Sequence, residues 1–275
     1  PSGTPVFGAL RGGYGVLLDA LEEAAGAEIR YGTVASNLRR VGDRWSLDPV
    51  GEVDGVILAV PAPEAAALLA GSVPPAAAQA AEIPLASSVT VSLALPSDAA
   101  LPQNSGILVA TGEELSAKAF TLSGRKWPHL AERDVTLVRV SFGRFGDDRL
   151  VDASDEQLIT LARADLATVT GVADEPSAAF VQRWHGGLPQ YRAGHTEIVA
   201  AFEREIDGID GLAVAGAMLH GVGVPACVES AQRPQHGSRH EWQDEGYGTS
   251  RFRQAQFHPS LRDVVGVPGQ ARRTR

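Results

Sequence analysis

The segment from Gly211 to Ala231 constrains this chain most. Gly211-Leu212-Ala213-Val214-Ala215-Gly216-Ala217 is a run of small and apolar residues that reads as a strand. Gly221-Val222-Gly223-Val224-Pro225 is a glycine-rich turn, and Ala226 to Ala231 begins a helix with proline near its first turn. Small residues let a ligand lie against the backbone, and Gly221 and Gly223 remove Cβ atoms where it would touch. The helix N-terminus adds unpaired N–H groups and the positive end of a dipole. The pattern suits a phosphate or an electron-rich ring. It equally suits close packing of a helix on a strand, and spacing alone leaves both open.

A second apolar strand, Val53 to Val60, is almost continuous and ends at Pro61, as expected of a strand buried on both faces of a layered α/β sheet. Upstream, Gly12-Gly13-Tyr14-Gly15 opens a helix carrying Val16, Leu17, Leu18, Leu21 and Ala24. It lacks the full G-x-G-x-x-G and the Gly-Lys-Ser/Thr ending of a phosphate loop, so a structural helix start is expected. Short strands are expected at Ala27–Tyr31, Val34–Val41 and Arg44–Leu47, and Ala-rich helices at Pro63–Leu69 and Pro74–Ala81.

The period then changes from helical to alternating. Ser88–Leu95, Gly106–Val109, Ala117–Leu122 and Thr136–Phe142 read as an antiparallel sheet, followed by a helix over Asp155–Thr170 with capping chemistry in Ser154-Asp155-Glu156-Gln157. From Arg233 onward there are eight Arg, no Lys, four acids and no sustained apolar period, and disorder is expected there.

The net charge of −9 and the absence of a basic, aromatic-studded stripe argue against nucleic-acid binding. A single cysteine, Cys227, excludes an intrachain disulfide framework and suits a reducing compartment, so a cytoplasmic location is expected. The prolines at 61, 63, 74 and 75 interrupt the most apolar stretch, and no spanning helix is expected. No G-x-S-x-G, H-E-x-x-H or C-x-x-C occurs, and His236 with His240 is a chance spacing, so no metal is predicted.

Two further stretches are candidates for chemistry. Arg183 to His195 gathers aromatics, histidines, glycines and arginines into what reads as an irregular, site-lining loop, although each histidine alone reads better as packed or surface. Lys118 and Lys126, the chain's only lysines, flank Phe120, Ser123 and Trp127. That region could bind an acidic ligand, or it could be a solvated face.

Several strings then occur in a shared order: Arg11-Gly12-Gly13-Tyr14, Lys126-Trp127-Pro128-His129, Gly143-Arg144-Phe145-Gly146-Asp147, Ser154-Asp155-Glu156, Arg183-Trp184, Leu188-Pro189-Gln190-Tyr191, Gly194-His195 and Leu212 to Ser230. Across residues 6 to 231 this order resembles the bacterial protoporphyrinogen/coproporphyrinogen oxidases. The resemblance implies FAD as cofactor, a porphyrinogen substrate (coproporphyrinogen III preferred, protoporphyrinogen IX the alternative), dioxygen as acceptor and a role in haem biosynthesis. It implies an α/β (mixed α+β) fold. Residues 1–61 and 186–231 would form parts of a Rossmann-like FAD-binding domain, with an antiparallel substrate-binding domain at 62–185 inserted and an atypical tail at 232–275.

By the same resemblance, Val34 meets the adenine end through its backbone and Trp184 lies near the isoalloxazine. Gly216, Ala217, Val222, Gly223 and Val224 contact the flavin, and Lys118, Phe120 and Lys126 are candidates for the substrate. No catalytic side chain is implied. The chain departs from the family in lacking the N-terminal G-x-G-x-x-G strand-turn-helix and the segment that roofs the substrate and gives some members weak membrane association. The text after Gln232 is unlike the family and reads as a change of reading frame. The expectation is therefore a C-terminal fragment, inactive alone. The alternatives are a non-catalytic porphyrin-binding domain and a flavin oxidase acting on amines or carotenoids; the Trp-Pro-His and Pro-Gln-Tyr strings speak against the last.

Overall fold

A computed structural model describes residues 8–232 and 264–266. The chain begins with β1 (Gly8–Leu10), α1 (Gly15–Ala25), β2 (Ser36–Val41), β3 (Arg44–Asp48), β4 (Gly51–Val53) and β5 (Val56–Leu58). It continues with α2 (Ala62–Leu69), α3 (Pro74–Ala81), β6 (Leu85–Pro96), β7 (Gly106–Leu108), β8 (Ala119–Leu122), α4 (Ser123–Lys126), α5 (Pro128–Ala131) and β9 (Val135–Phe142). It ends with α6 (Asp155–Thr170), β10 (Ala178–Pro189), α7 (His195–Ile206), β11 (Leu212–Val214), α8 (Val224–Gln232) and β12 (Val264–Gly266). Two compact units result. Among the described residues the first comprises 8–26, 87–185 and 264–266, and the second comprises 27–86 and 186–232.

The first unit is built on a five-stranded sheet in the order β10-β6-β9-β8-β7. Strands β6 and β9 pair antiparallel from Val89↔Phe142 to Pro96↔Val135, and β8 adds to β9 with Phe120 opposite Val140. The alternation expected of a half-buried sheet holds: Val89, Val91, Leu93, Leu95, Val138, Val140 and Phe142 are buried, while Thr90, Ser92 and Ser141 between them are only half-buried. Helix α6 packs Leu158, Ala162 and Leu166 into the same core. Its start is set by Ser154, whose hydroxyl accepts the Gln157 N–H, and its end by Gly171 at φ 77°.

In the second unit β5 and β11 pair in parallel, β2-β3-β4 form an antiparallel meander, and α2, α3 and α7 contribute to one core around Trp45, Leu58, Leu69, Phe202 and Leu212. Helix α7 buries His195, Val199, Phe202 and Ile206 at helical spacing. Complete burial of each of the three apolar side chains is worth about 1.5–3 kcal/mol.

Several expectations are corrected. Ala27–Tyr31 forms no strand. The run Val53–Val60 is interrupted at Asp54–Gly55, and Ile57 is 61% exposed, because among the described residues the face of β5 that carries it stays uncovered. The stretch read as an irregular loop from Arg183 is a strand to Pro189. Helix α7 has no counterpart in the sequence reading. Apart from these corrections, the helices at 62–81 pack in the second unit and residues 8–26 belong to the first. The disorder expected after Gln232 concerns residues outside those described, except that Val264–Gly266 pairs antiparallel with Gly8–Leu10.

Candidate functional site

Parallel pairing of Leu212↔Val56, Ala213↔Ile57 and Val214↔Leu58 sends the chain out of β5 and β11 at the same edge of the sheet. In open α/β sheets this carboxyl edge is where ligands bind. A cavity of about 160 Å³ lies there, lined by Ala59, Val60, Pro61, Gly186, Ala217 and Met218 among others. That is smaller than the roughly 300–1,000 Å³ of a complete small-molecule site.

The turn between β11 and α8 is held by specific bonds. Gly216 adopts φ 110°, a conformation open to glycine, and its N–H donates to the Ser230 hydroxyl at 2.9 Å. That buried hydroxyl in turn donates to the Cys227 carbonyl at 2.7 Å, so the turn is tied to the last turn of α8. At Gly221 a Cβ would stand 2.5 Å from the Ala226 Cβ, which requires glycine for the close approach of turn and helix. Ser230→Ala leaves the Gly216 N–H without its partner and should cost about 1–3 kcal/mol, with faster amide exchange at Gly216 as the local signature. A loss below a few tenths of a kcal/mol would show the tie to be unimportant.

Tyr191 and His195 brace the same turn. The Tyr191 hydroxyl donates to the Ala217 carbonyl, and its ring stacks on His195 with centroids 3.9 Å apart. His195 is buried with Nε2 3.0 Å from the Leu219 carbonyl; a carbonyl only accepts, so Nε2 carries a proton. Burial pushes the Tyr191 phenol up, against a smaller opposing pull from the Gly221 backbone, and the group remains a neutral donor. This pair is a brace for the backbone rather than a proton relay. The sequence signal for it is weak, since Tyr191 and Ala217 meet only through the fold.

The predicted cofactor residues Gly216, Ala217, Val222, Gly223 and Val224 thus share one strand-turn-helix, with Val222 and Val224 49% and 42% exposed. Val34 stands 83% exposed in the loop before β2. In the first unit, Trp184 lies on β10, 52% exposed, beside Arg183, which donates to the carbonyls of Val151 and Ala153 and pairs with Asp155 at 2.7 Å. Arg183 therefore fastens β10 to the start of α6.

Of the substrate candidates, Phe120 is a core residue, 2% exposed. Lys126 lies 5.3 Å from the centre of the Trp127 ring. Lys118 is half-buried, and Arg144, which sequence reading did not single out as a site residue, is close enough to repel it. Burial first, and the Arg144 charge second, push the Lys118 ammonium down. Arg144 sits between Gly143 and Gly146, at φ 81° and 80°; that flanking turn is the signal that could have drawn attention to it. Among the described residues no cluster of three or more His, Cys, Asp or Glu is arranged to hold a metal, and no helix is long and apolar enough to cross a membrane.

Parallel strands with a glycine turn at their carboxyl edge, in a chain that also holds a unit built on an antiparallel sheet, are features of a fold shared with flavin amine oxidase-like proteins. The chain belongs to the flavin containing amine oxidoreductase family, whose pattern matches residues 2–234. It is 48% identical over 236 residues to the coproporphyrinogen III oxidase of Mycobacterium tuberculosis strain H37Rv, covering 84% of this chain and 50% of that protein. With the coproporphyrinogen III oxidase of Propionibacterium freudenreichii it shares 36% identity over 241 residues, 84% of this chain and 44% of the relative. A crystal structure from Exiguobacterium, provisionally named a protoporphyrinogen oxidase, matches with a TM-score of 0.72 and 31% identity over 80% of this chain and 49% of its own. A putrescine oxidase structure, 15% identical with a TM-score of 0.64 over 81% of this chain and 51% of its own, is similar in fold. The chain spans about half the length of the curated relatives it matches.

Proposed function

We propose that this chain is part of a cytoplasmic, FAD-dependent oxidase that converts coproporphyrinogen III to the porphyrin, with dioxygen as acceptor, in haem biosynthesis. The observation that carries the reading is the Gly216–Val224 turn, which opens from the carboxyl edge of two parallel strands into the N-terminus of α8. Its residues fit one edge of a flavin: glycine at 216 and 221 keeps the backbone bare, and the cavity beside Ala217 and Met218 is apolar and narrow. Bound there, the flavin would supply the chemistry, accepting hydride equivalents from the macrocycle and passing them to dioxygen as hydrogen peroxide.

The chain's own residues would do the rest. Backbone N–H groups of Val222, Gly223 and Val224 would face the ring, and the helix dipole would favour negative charge on it. Tyr191 and His195 would hold the turn in shape, Val34 would meet the adenine end through its backbone, and Trp184 would lie near the ring. Lys118 and Lys126 would contribute positive charge toward an acidic substrate. No G-x-G-x-x-G occurs in this sequence to hold the pyrophosphate, so weak FAD retention and no turnover by this chain alone are expected.

The test is an absorbance spectrum after incubation with excess FAD and desalting, followed by a coproporphyrinogen oxidation assay. A flavin band retained at well below one equivalent, reduced further by Gly221→Val, is expected. Quenching of tryptophan fluorescence by coproporphyrin with no flavin retained at all would favour a porphyrin-binding domain instead.

A further inference from the structure

We propose that Lys118 and Arg144 form a joint seat for a propionate carboxylate of an acidic tetrapyrrole, and that the seat favours macrocycles with more carboxylates. The inference rests on the function proposed above and adds which residues recognise the substrate's acid groups.

Both residues meet at one end of the five-stranded sheet through Val109, Lys118 by its backbone and Arg144 by its guanidinium. The Val109 N–H donates to the Lys118 carbonyl at 3.0 Å, while the Val109 carbonyl accepts from an Nη of Arg144 at 3.0 Å. The Lys118 N–H donates to the Ser141 carbonyl at 2.7 Å, and Arg144 follows two residues after Phe142, where β9 ends. The residue before Lys118 is fixed as well, because the buried Asp165 carboxylate accepts the Ala117 N–H at 2.7 Å. The backbone that carries Lys118 is therefore fixed, its side chain is half-buried, and the Arg144 guanidinium is tied to the same place.

Charge makes the arrangement informative. Two half-buried cations within repelling distance cost free energy unless an anion joins them. Among the described residues, neither Lys118 nor Arg144 forms an ion pair with a carboxylate. The acid that feels the Arg144 charge, Asp147, is already held by both Nε and Nη of Arg149 at 2.8 Å, which keeps its carboxyl at about 2. Arg144 spends one N–H direction on Val109 and retains others, and an ammonium beside a guanidinium matches the two oxygens of one carboxylate. Coproporphyrinogen carries four propionates and protoporphyrinogen two, with vinyl groups in the other two places, so the seat favours coproporphyrinogen by meeting one of those two places.

The experiment titrates the chain with coproporphyrin III and with protoporphyrin IX, following tryptophan fluorescence. It compares the wild type with Lys118→Gln, Arg144→Gln and Lys118→Arg, each checked for folding by circular dichroism. Each Gln variant is expected to bind coproporphyrin on the order of tenfold more weakly, and protoporphyrin with a smaller loss, while Lys118→Arg recovers most of the affinity. In the wild type, coproporphyrin affinity should fall more steeply with salt than protoporphyrin affinity, a readout independent of any variant's fold. Tight coproporphyrin binding that is unchanged in both Gln variants, or insensitive to salt, overturns the seat and leaves the porphyrin reading intact. A wild-type chain that binds neither porphyrin counts against that reading and removes the seat with it.

Discussion

Trp45→Ala should lower the unfolding free energy of the second unit by about 3–5 kcal/mol, enough to unfold a domain of ordinary stability in part. Trp45 is 2% exposed in the core with Leu58, Leu69, Phe202 and Leu212. Its indole Nε1 donates to the Asp210 carbonyl at 2.9 Å, across 165 positions of sequence, and Arg40 lies 5.3 Å from the ring centre while donating to the same carbonyl. Next to that carbonyl, Gly211 at φ 71° leaves no room for a Cβ, which would meet the Asp54 carbonyl oxygen at 2.5 Å and the indole at 3.2 Å. The Gly211 carbonyl in turn accepts the Val56 N–H at 2.7 Å at the start of the parallel pair. The indole therefore fills the core and positions the entry to β11 together. Urea unfolding followed by far-ultraviolet circular dichroism measures the loss, and Trp45→Phe should recover more than half of it. A loss under 1 kcal/mol would show that the cavity collapses and that the ring sets neither.

Asp165→Leu should cost the first unit about 2–3 kcal/mol and should also loosen the backbone at Lys118. A leucine is close in size and suits an apolar surrounding, but it strands the Ala117 N–H, whose partner at 2.7 Å is the Asp165 carboxylate. Both residues are buried, so water does not replace the bond freely. Asp165→Asn keeps an oxygen acceptor and should retain most of the stability, since the amide can turn its carbonyl to Ala117. Urea unfolding gives the magnitude, and amide exchange at Ala117 and Lys118 gives the location. Unchanged exchange with lowered stability would place the carboxylate's role elsewhere in α6 and detach it from the Lys118–Arg144 seat.

The elements that sequence reading places well are those governed by local chemistry. Helix α3 begins at Pro74-Pro75, whose fixed φ suits the first turn, and α6 begins at a serine cap and ends at a left-handed glycine. In β6, β8 and β9 the alternation of apolar and polar residues survives because one face of the sheet is covered by α6. Helix α7 escapes notice because the first member of its apolar face is His195, a polar residue made compatible with burial by the Leu219 carbonyl and the Tyr191 ring. Strand β10 is obscured by Gly186, Gly187 and Pro189. It forms because β6 offers an edge, with both the N–H and the hydroxyl of Ser177 bonded to the Ala94 carbonyl.

The same division runs through the candidate sites. Glycine at 216, 221 and 223, the small residues of β11 and the helix that follows are legible as a strand, a glycine turn and a helix, because backbone conformation and close approach depend on residues adjacent in the chain. The ordered strings that place the chain in its family are legible for the same reason. The tertiary structure alone decides which polar groups meet across long separations: Tyr191 with Ala217, Ser230 with Gly216, Trp45 with Asp210, and Lys118 with Arg144 through Val109. Such pairings depend on where strands and helices pack, and packing is a property of the whole core rather than of any segment of the sequence.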